Sequence, residues 1–242
     1  LEKEKVVTSY VKRIRGQSGL VVSLVLPGGR RTLLSYRGIC AENIVEINEI
    51  DDVLERAELV YGSGYVFNNV DSGSSLVGIF SRAQGYGAQT FLELGGIEKT
   101  STRNLFALRN LVDYVSLNVH ELFSLTGISD LAIAVEKLYT LLEPRAMFIK
   151  AGEKGSFVYN GKDLIEIPSC RVSSVDPTGC GDAFNAGVIY GVLRKLDLSK
   201  AALIGNIMGA YKVLGLGARH LPRSVDDLKE FAESNCKIKL DL

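Results

Sequence analysis

The sequence predicts an α/β fold: a mostly parallel sheet packed against helices, with a small antiparallel β lid before it. Two patterns predict this fold. After Asp51, short apolar runs alternate with longer amphipathic stretches, which is the pattern of βαβ units. Before Asp51, short β-like segments are separated by glycine-rich turns. With 242 residues and 46% hydrophobic content, the chain is long enough to bury one full core.

Residues 1–50 are predicted to form the lid and its hinge. Alternating apolar residues predict strands at Val6–Ile14, Gly19–Leu26 and Arg31–Tyr36. Glycine-rich turns at positions 16–19 and 27–29 would join them, because glycine adopts the positive φ angles of tight turns. The chain begins at Leu1 with a charged stretch that runs into the first segment, so we expect the lid to be incomplete at its N-terminus.

Residues 51–242 are predicted to form the α/β domain. Strands are expected at Leu59–Tyr65, Thr90–Leu94, Tyr114–Asn118 and Met147–Ala151. Helices with apolar residues three and four apart are expected at Ser72–Ala88, Thr102–Leu111, Asp130–Leu142, Ala183–Lys195, Ser199–Leu214 and Ser224–Ser234. Their predicted N-caps include Asp130, Ser199 and Ser224. Two alternating runs within Gly155–Ser169 predict a hairpin.

Composition excludes several classes of protein. Twenty-eight basic and twenty-eight acidic residues cancel, so no overall field attracts nucleic acid or an anionic membrane. No apolar run approaches the roughly 20 residues that span a bilayer. The four cysteines Cys40, Cys170, Cys180 and Cys236 are far apart and form no C-x-x-C pair, which argues against a zinc site or a disulfide framework. We therefore expect a soluble cytoplasmic protein.

The segment Asp176-Pro-Thr-Gly-Cys-Gly-Asp182 carries the strongest chemical signal. Gly179 and Gly181 let the backbone N–H groups of positions 179–181 converge at a helix N-terminus, where the helix dipole favours an anion. Such a group of amides suits the charge on a phosphoryl group in transfer. Asp182, on the same turn, is placed to accept the proton of an attacking hydroxyl. Tight packing and a dipole partner would explain the short pattern equally well.

The longer string Asp-x-Thr-Gly-x-Gly-Asp-Ala-Phe-x-Ala-Gly at positions 176–187 resembles the signature of the ribokinase-like (PfkB) family of carbohydrate and nucleoside kinases. The resemblance implies a three-layer, Rossmann-like α/β fold, with Asp182 as the catalytic base and the amides of Gly179, Cys180 and Gly181 as the anion hole. Pro177 and Cys180 depart from the common pattern, yet neither change removes an amide from this site.

Asn118-Val-His-Glu121 resembles the Asn-x-x-Glu segment of the same family. The resemblance implies that Asn118 and Glu121 face the phosphates of ATP and an Mg²⁺ ion, with Glu121 reaching the ion through water. The same spacing also fits a helix-capping pair, and that alternative stays open.

Further positions resemble the family's nucleotide-binding segments. The resemblance implies that Lys150, Gly152 and Gly155 lie beside the nucleotide, although a plain hairpin turn would also explain these glycines. It further implies that Asn206 and Gly217 flank the adenine. In many members the same loop encloses a monovalent cation such as K⁺, and the corresponding positions here are Asp176, Thr178, Gly215 and Gly217.

The predicted activity is ATP-dependent phosphorylation of a sugar hydroxyl. A nucleoside kinase of the same fold is the nearest alternative, and a non-catalytic nucleotide-binding fragment is the second. The resemblance also implies further βαβ structure before Leu1, with an aspartate and a Gly-Gly segment that bind the acceptor; neither is found in this sequence. We therefore expect either a truncated chain or a differently built acceptor site. Exposed lid strands predict a homodimer, because unpaired strand edges favour association.

Overall fold

The computed structural model describes residues 1–25, 31–39, 45–68, 70–97 and 105–240. Two strands form a separate antiparallel sheet: β1 (Leu20–Val25) and β2 (Arg31–Tyr36). The central sheet has six strands in sequential order: β3 (Leu59–Ser63), β4 (Gln89–Glu93), β5 (Tyr114–Asn118), β6 (Ala146–Lys150), β7 (Ser156–Tyr159) and β8 (Leu164–Ile167). Strands β3 to β6 are parallel, and β7 and β8 extend the sheet as the predicted antiparallel hairpin.

The parallel strands form where the sequence predicts them, within two residues at each end. Residues 114–117 of β5 and 146–149 of β6 are buried without alternation, which is typical of strands covered by helices on both faces. The predicted turn at positions 27–29 lies outside the described residues.

Helices connect and cover the strands. They are α1 (Asp51–Leu54), α2 (Val70–Gly85), α3 (Val119–Thr126), α4 (Leu131–Leu142), α5 (Cys180–Leu193), α6 (Leu198–Lys212) and α7 (Val225–Phe231). A π-helical segment, Ala232–Cys236, follows α7. In the part of the chain that the structure describes, no helix is long and apolar enough to cross a membrane.

The helices form the outer two of three layers. On one face of the sheet, Phe80 of α2, Leu122 of α3 and Leu138 of α4 belong to a buried cluster with Leu92 and Leu117 of the strands. On the other face, residues of α5 and α6 pack against the alternate side chains of the same strands, among them Phe91, Phe148, Phe184, Val188 and Ala201. The three-layer arrangement that the resemblance implies is therefore present.

Helices α5 and α6 pack at backbone contact distance. A Cβ atom on Gly187 would lie 2.8 Å from the Cα atom of Gly205, and one on Gly191 would lie 2.7 Å from the Cα atom of Ala201. Real side chains do not fit such distances, so glycine is required where the two helices meet. This contact fixes the position of α5, whose first turn carries Asp182.

Three predicted helix starts can be compared with their caps. The side chain of Asp130 accepts a hydrogen bond from Ile133 N–H, and that of Ser224 accepts one from Asp227 N–H, so both predictions are confirmed. Helix α6 instead begins one residue earlier than predicted. Its N-cap is Asp197, which accepts a hydrogen bond from Lys200 N–H, and Ser199 lies inside the helix.

The strand predicted at Val6–Ile14 is wrong. Apart from a turn at positions 9 and 10, this segment has no regular secondary structure, pairs with no strand in the described residues, and is largely exposed. Side chains hold it instead: the Tyr10 hydroxyl donates to Asp52 at 2.6 Å, and Lys12 forms an ion pair with Glu49. A strand needs a partner for its ladder, and the alternation of apolar residues alone does not supply one.

The helix predicted at Thr102–Leu111 is not formed as predicted. Residues 102–104 lie outside the described part, and residues 105–108 form a single 3₁₀ turn. Asn110 then adopts φ +61°, a left-handed conformation that ends helical structure and turns the chain towards β5. Leu105 and Leu108 are buried in the core, so their spacing reflects one packed turn and not a full helix.

The cysteines correct a further expectation. Cys170 follows β8, Cys236 ends the π-helical segment, and the two form a disulfide across 66 residues. The spacing of cysteines along the sequence does not show which of them the fold brings together. The expectation that these widely separated cysteines form no disulfide is therefore wrong. The bond ties the C-terminal segment to the loop that leads to Asp176. It does not support the reducing cytoplasm predicted from the cysteine pattern.

A pair of glycine substitutions tests the contact between α5 and α6. We expect Gly187→Ala to destabilise the protein by about 1–3 kcal/mol, because the new methyl group meets the backbone of Gly205. Gly85→Ala is the matched control: it adds the same methyl group at the end of α2, where a Cβ atom meets nothing within 4 Å. We expect that change to be neutral or stabilising by up to about 1 kcal/mol. Urea unfolding measures both, and equal effects would contradict this packing.

Candidate active site

Three polar side chains end the parallel strands. Glu93, Asn118 and Lys150 are the last residues of β4, β5 and β6. Because these strands are parallel and adjacent, the three residues share one edge of the sheet, and Asn118 is in register with Lys150. Ligands of open α/β sheets bind outside this carboxyl edge. Asn118 and Lys150 are among the predicted site residues. Glu93 is not, and its signal in the sequence is only a charged residue that ends an apolar strand.

Lys150 lies between the sheet edge and the start of α5. Its ammonium forms an ion pair with Glu93 at 3.3 Å, and only 14% and 13% of the two side chains is exposed. A Cβ atom on Gly181 would lie 3.4 Å from the same ammonium. Gly181 therefore brings the backbone of the first turn close to a cation that is largely shielded from water, where electrostatic interactions are stronger than at the surface.

The chain enters α5 through Gly179. This residue is the N-cap and has φ +82°, where a side chain would be strained; a Cβ atom would also lie 2.9 Å from the carbonyl oxygen of Ala218. Asp182 lies in the first turn and is exposed. The predicted base and the predicted anion hole are therefore adjacent, above the edge that carries Lys150.

The predicted anion hole differs in one detail from the expectation. The N–H of Cys180 donates to the carbonyl oxygen of Pro177 at 3.2 Å and closes a turn before the helix. An anion bound at the Cys180 amide would have to share its N–H group with the carbonyl oxygen of Pro177. The amides of Gly179 and Gly181 flank it on the same turn, where the helix dipole adds a partial positive charge.

Asn118 and Glu121 form a capping box at the start of α3. Glu121 N–H donates to Asn118 Oδ1 at 2.9 Å, and Asn118 N–H donates to Glu121 Oε2 at 2.7 Å. The capping alternative is therefore present. It uses one oxygen of the carboxylate, which has the capacity to bind further partners. Burial raises the pKa of Glu121, although the hydrogen bond from Asn118 and the charge of Lys150 act in the opposite direction.

A chain of hydrogen bonds that no sequence motif indicates joins α5 to the sheet, from buried Ser116 and Asn185 to the partly exposed Tyr61. The Ser116 hydroxyl donates to Asn185 Oδ1 at 2.6 Å, and Asn185 Nδ2 donates to the Tyr61 hydroxyl at 3.4 Å. Ser116 and Asn185 are both buried. Burial, then the charges of Glu93 and Asp182, raise the pKa of Tyr61 to about 12. Asn185 lies one turn after Asp182 in α5. Its hydrogen bond to Ser116 therefore anchors the part of α5 that carries the predicted base.

Asp176 joins the loop before α5 to the loop after α6. Its Oδ1 atom accepts from Thr178 N–H and its Oδ2 atom accepts from Gly217 N–H, each at 2.9 Å. Hydrogen bonds from the Thr178 side chain and amide, and then from the Gly217 amide, lower the pKa of Asp176 to about 2. Three residues predicted to share one site are thus in contact.

The predicted site for a monovalent cation contains a lysine ammonium instead. Lys212 Nζ donates to the carbonyl oxygen of Asp176 at 2.6 Å and to that of Gly215 at 3.3 Å. Both carbonyl groups belong to residues that the resemblance assigns to the cation. The arrangement found here does not fit a bound K⁺, because a cationic side chain already uses these oxygen atoms.

Two further predicted contacts with the nucleotide are not supported. Asn206 is buried, and its amide donates to the carbonyl oxygens of Ile167 and Pro168 at 3.0 and 3.1 Å. A Cβ atom on Gly155 would lie 2.1 Å from the same Ile167 oxygen, so this glycine is explained by the hairpin. Gly152 differs: it is exposed, has φ +61°, and a Cβ atom there would meet nothing within 4 Å.

Comparisons with known proteins identify the family of this chain. Residues 1–224 match the pfkB family of carbohydrate kinases. An uncharacterized sugar kinase from Archaeoglobus fulgidus is 29% identical over 233 residues, which cover 93% of this chain and 88% of the relative. The chain belongs to the pfkB carbohydrate kinase family, and the predicted enzyme class is confirmed.

Solved structures confirm the ribokinase-like fold. The adenosine kinase from Sinorhizobium meliloti has a TM-score of 0.75 and 23% identity, and the similarity covers 89% of this chain and 65% of that one. A structure described as ribokinase II from E. coli, in complex with ATP and Mg²⁺, has a TM-score of 0.74 and 18% identity, with 88% and 70% covered. This chain thus spans about two thirds of the length of these kinases.

The ionisation of Glu121 tests the electrostatics of the sheet edge. We expect Lys150→Met to raise the pKa of Glu121, because the ammonium of Lys150 favours the charged carboxylate. The control is Lys154→Met, which removes an exposed lysine four residues further along the chain and should leave this pKa unchanged. Carbon-13 NMR titration of the glutamate carboxyl groups measures the change. An unchanged or lowered pKa in Lys150→Met would show that the two groups do not interact.

Proposed function

We propose that this protein transfers the γ-phosphoryl group of ATP to a hydroxyl group of a sugar or sugar derivative. One observation carries the proposal: the first turn of α5, with Asp182, meets the carboxyl edge of the sheet where Lys150 and Glu93 are paired. A base, a set of helix N-terminal amides and a shielded cation are the parts that phosphoryl transfer needs, since its catalysis is chiefly positioning and charge stabilisation.

Asp182 is the proposed general base. It accepts the proton of the acceptor hydroxyl while the hydroxyl oxygen forms a bond to the γ-phosphorus atom. The bond between that phosphorus and the bridging oxygen of ADP breaks, and the electron pair leaves with ADP. Asp182 suits this role because it is exposed to an incoming acceptor and stands on the turn that holds the amides of Gly179 and Gly181.

Lys150 and the first turn of α5 are the proposed electrostatic partners of the transferring group. The distance of 3.4 Å from the Lys150 ammonium to a Cβ atom on Gly181 leaves both groups able to face one anion. The same ammonium lies beside Glu93, which holds it in place through the ion pair. Because these groups are already in place, they need not rearrange when negative charge develops on the transferring group.

Glu93 and Glu121 are the proposed side chains for Mg²⁺. Carboxylate oxygens are its preferred protein ligands, and Mg²⁺ in kinases is usually held by one or two carboxylates together with substrate phosphates and water. The fit is supported by the position of the two carboxyl groups at the same edge of the sheet, where burial, together with the charge of Glu93, raises the pKa of Glu121. When bound, Mg²⁺ neutralises charge on the nucleotide phosphates.

Gly152 and Gly217 are the proposed nucleotide-binding positions. Each has a positive φ angle and open space where a Cβ atom would be, and each belongs to an exposed loop. Leu216 next to Gly217 is 81% exposed, which offers an apolar surface for the adenine ring. Asn206 and Gly155 are left out of this proposal because their contacts lie within the fold.

The role of Asp182 is tested by replacing it with asparagine. We expect Asp182→Asn to lower turnover by roughly 10²–10⁴-fold, the usual contribution of a general base, with little change in ATP affinity. Asp226→Asn is the control, since it removes an exposed carboxylate from the first turn of α7. ADP release with the best acceptor gives the turnover, and calorimetry gives the ATP affinity. Turnover of Asp182→Asn equal to that of Asp226→Asn would exclude the assigned base.

A nucleoside is the alternative acceptor. The structural similarity to an adenosine kinase favours testing it, although at 23% identity that similarity shows the fold alone. Ribose, fructose, ketodeoxygluconate and adenosine, compared by kcat/KM in the same ADP-release assay, separate the two substrate classes. Higher kcat/KM for a sugar supports the proposal, and higher kcat/KM for adenosine supports the alternative. ATP binding without turnover of any acceptor would indicate a non-catalytic fragment.

We also propose that the lid forms a homodimer. Leu20, Val22 and Leu24 of β1 share one face with Leu34 and Tyr36 of β2, and 44–58% of each residue is exposed. Exposed apolar strands favour pairing with another copy. Light scattering of the protein should give the mass of a dimer, and Val22→Lys should give that of a monomer. A monomeric wild-type protein would contradict this part of the proposal.

A further inference from the structure

Lys212 is an unusual residue in this fold because its charged side chain is completely buried. It is the last residue of α6 and has 0% of its surface exposed. Lysine is almost never fully buried without partners, since removal of an ammonium from water is costly. No motif in the sequence points to Lys212, and the proposed reaction does not use it.

The partners of Lys212 are backbone carbonyl groups from two different loops. Its Nζ atom lies 2.6 Å from the oxygen of Asp176 and 3.3 Å from that of Gly215. The end of α6 is also bonded to the first loop directly, because Val213 accepts hydrogen bonds from the N–H groups of Val175 and Asp176 at 2.7 and 3.2 Å. The ammonium therefore lies at the junction between the loop before α5 and the loop after α6.

This junction supports the first turn of α5. The Asp176 carboxylate bonds Thr178 N–H on one side and Gly217 N–H on the other, and the charge of Lys212 is one of the causes that lower its pKa. Ala218, next to Gly217, packs against Gly179 at the N-cap of α5. A short path of contacts thus runs from the ammonium to the residue at which the helix begins.

A buried ammonium bound by carbonyl oxygens can replace a bound monovalent metal cation. It supplies one positive charge and donates hydrogen bonds to the two carbonyl oxygens. The Asp176 and Gly215 carbonyl oxygens belong to residues that the resemblance to the family assigns to the cation. A second cation beside Lys212 would compete for the same oxygen atoms and would be repelled by its charge.

We propose that Lys212 is a built-in cation and a positioning residue, which holds the two loops behind α5 and makes nucleotide binding and turnover independent of K⁺. The inferences about nucleotide binding and turnover rest on the proposed kinase function. The inference about stability does not, because it concerns the arrangement of the loops alone.

Potassium dependence of the wild-type protein and of Lys212→Ala provides the test. Lys212→Ala leaves the two carbonyl groups without their ammonium and opens space for an ion. Lys212→Met keeps the volume of the side chain without its charge, and Lys200→Met is the control on the exposed side of the same helix. Each protein is measured in 100 mM KCl and in 100 mM tetramethylammonium chloride, which holds the ionic strength constant.

Three quantities are compared: the thermal midpoint, the Kd of ATP by calorimetry, and ADP release with the best acceptor. Wild type and Lys200→Met should change less than about 2-fold in Kd and turnover when K⁺ is added, with no shift of the midpoint. Lys212→Ala should bind ATP at least about 10-fold more weakly without K⁺ and should recover part of this loss, with a higher midpoint, when K⁺ is present. Lys212→Met should show the loss without the recovery.

Two results would overturn the proposal. One is a gain of 10-fold or more in wild-type ATP affinity or turnover on addition of K⁺. The other is an ATP affinity of Lys212→Met equal to that of wild type. This second result decides the question even if Lys212→Ala does not fold. If no acceptor is turned over by any of the proteins, the proposed kinase function fails, while the midpoints and ATP affinities still decide the role of Lys212.

Discussion

The close contact between α5 and α6 is the constraint on which the rest of the site depends. Gly187 and Gly191 let α5 meet α6 at the backbone, and Asn185 fastens the same helix to Ser116 in the centre of the sheet. Both contacts lie within three turns of Asp182. They direct the positive end of a helix dipole at the carboxyl edge of the parallel strands, where such sheets bind their ligands.

Two lysines supply positive charge near the carboxylates at this edge of the sheet and behind it. Lys150 lies beside Glu93 and within electrostatic reach of Glu121, and Lys212 neutralises the loop that carries Asp176. One cation faces the sheet edge, and the other stands behind the helix start. Lys150 therefore lies where an anionic ligand is proposed to bind, and Lys212 holds the two loops behind it.

Most features that could be predicted from the sequence follow from local patterns. The glycines and Asp182 lie within one short segment, and the parallel strands are apolar runs, so neighbouring residues are enough to predict them. Glu93, Asn185 and Lys212 could not be found in this way. Their partners are 57, 69 and 36 residues distant in the sequence, and only the packing of the layers brings them together. The strand predicted at Val6–Ile14 failed for the same reason, because local alternation does not supply a pairing partner.

A crystal structure with a non-hydrolysable ATP analogue and Mg²⁺ tests whether the γ-phosphate binds at the first turn of α5. We expect oxygen atoms of the γ-phosphate to lie within about 3.2 Å of the Gly181 amide and of the Lys150 ammonium, with Asp182 facing the open side of the γ-phosphorus atom. A triphosphate bound away from the first turn of α5, or with its γ-phosphate out of reach of both groups, would contradict it.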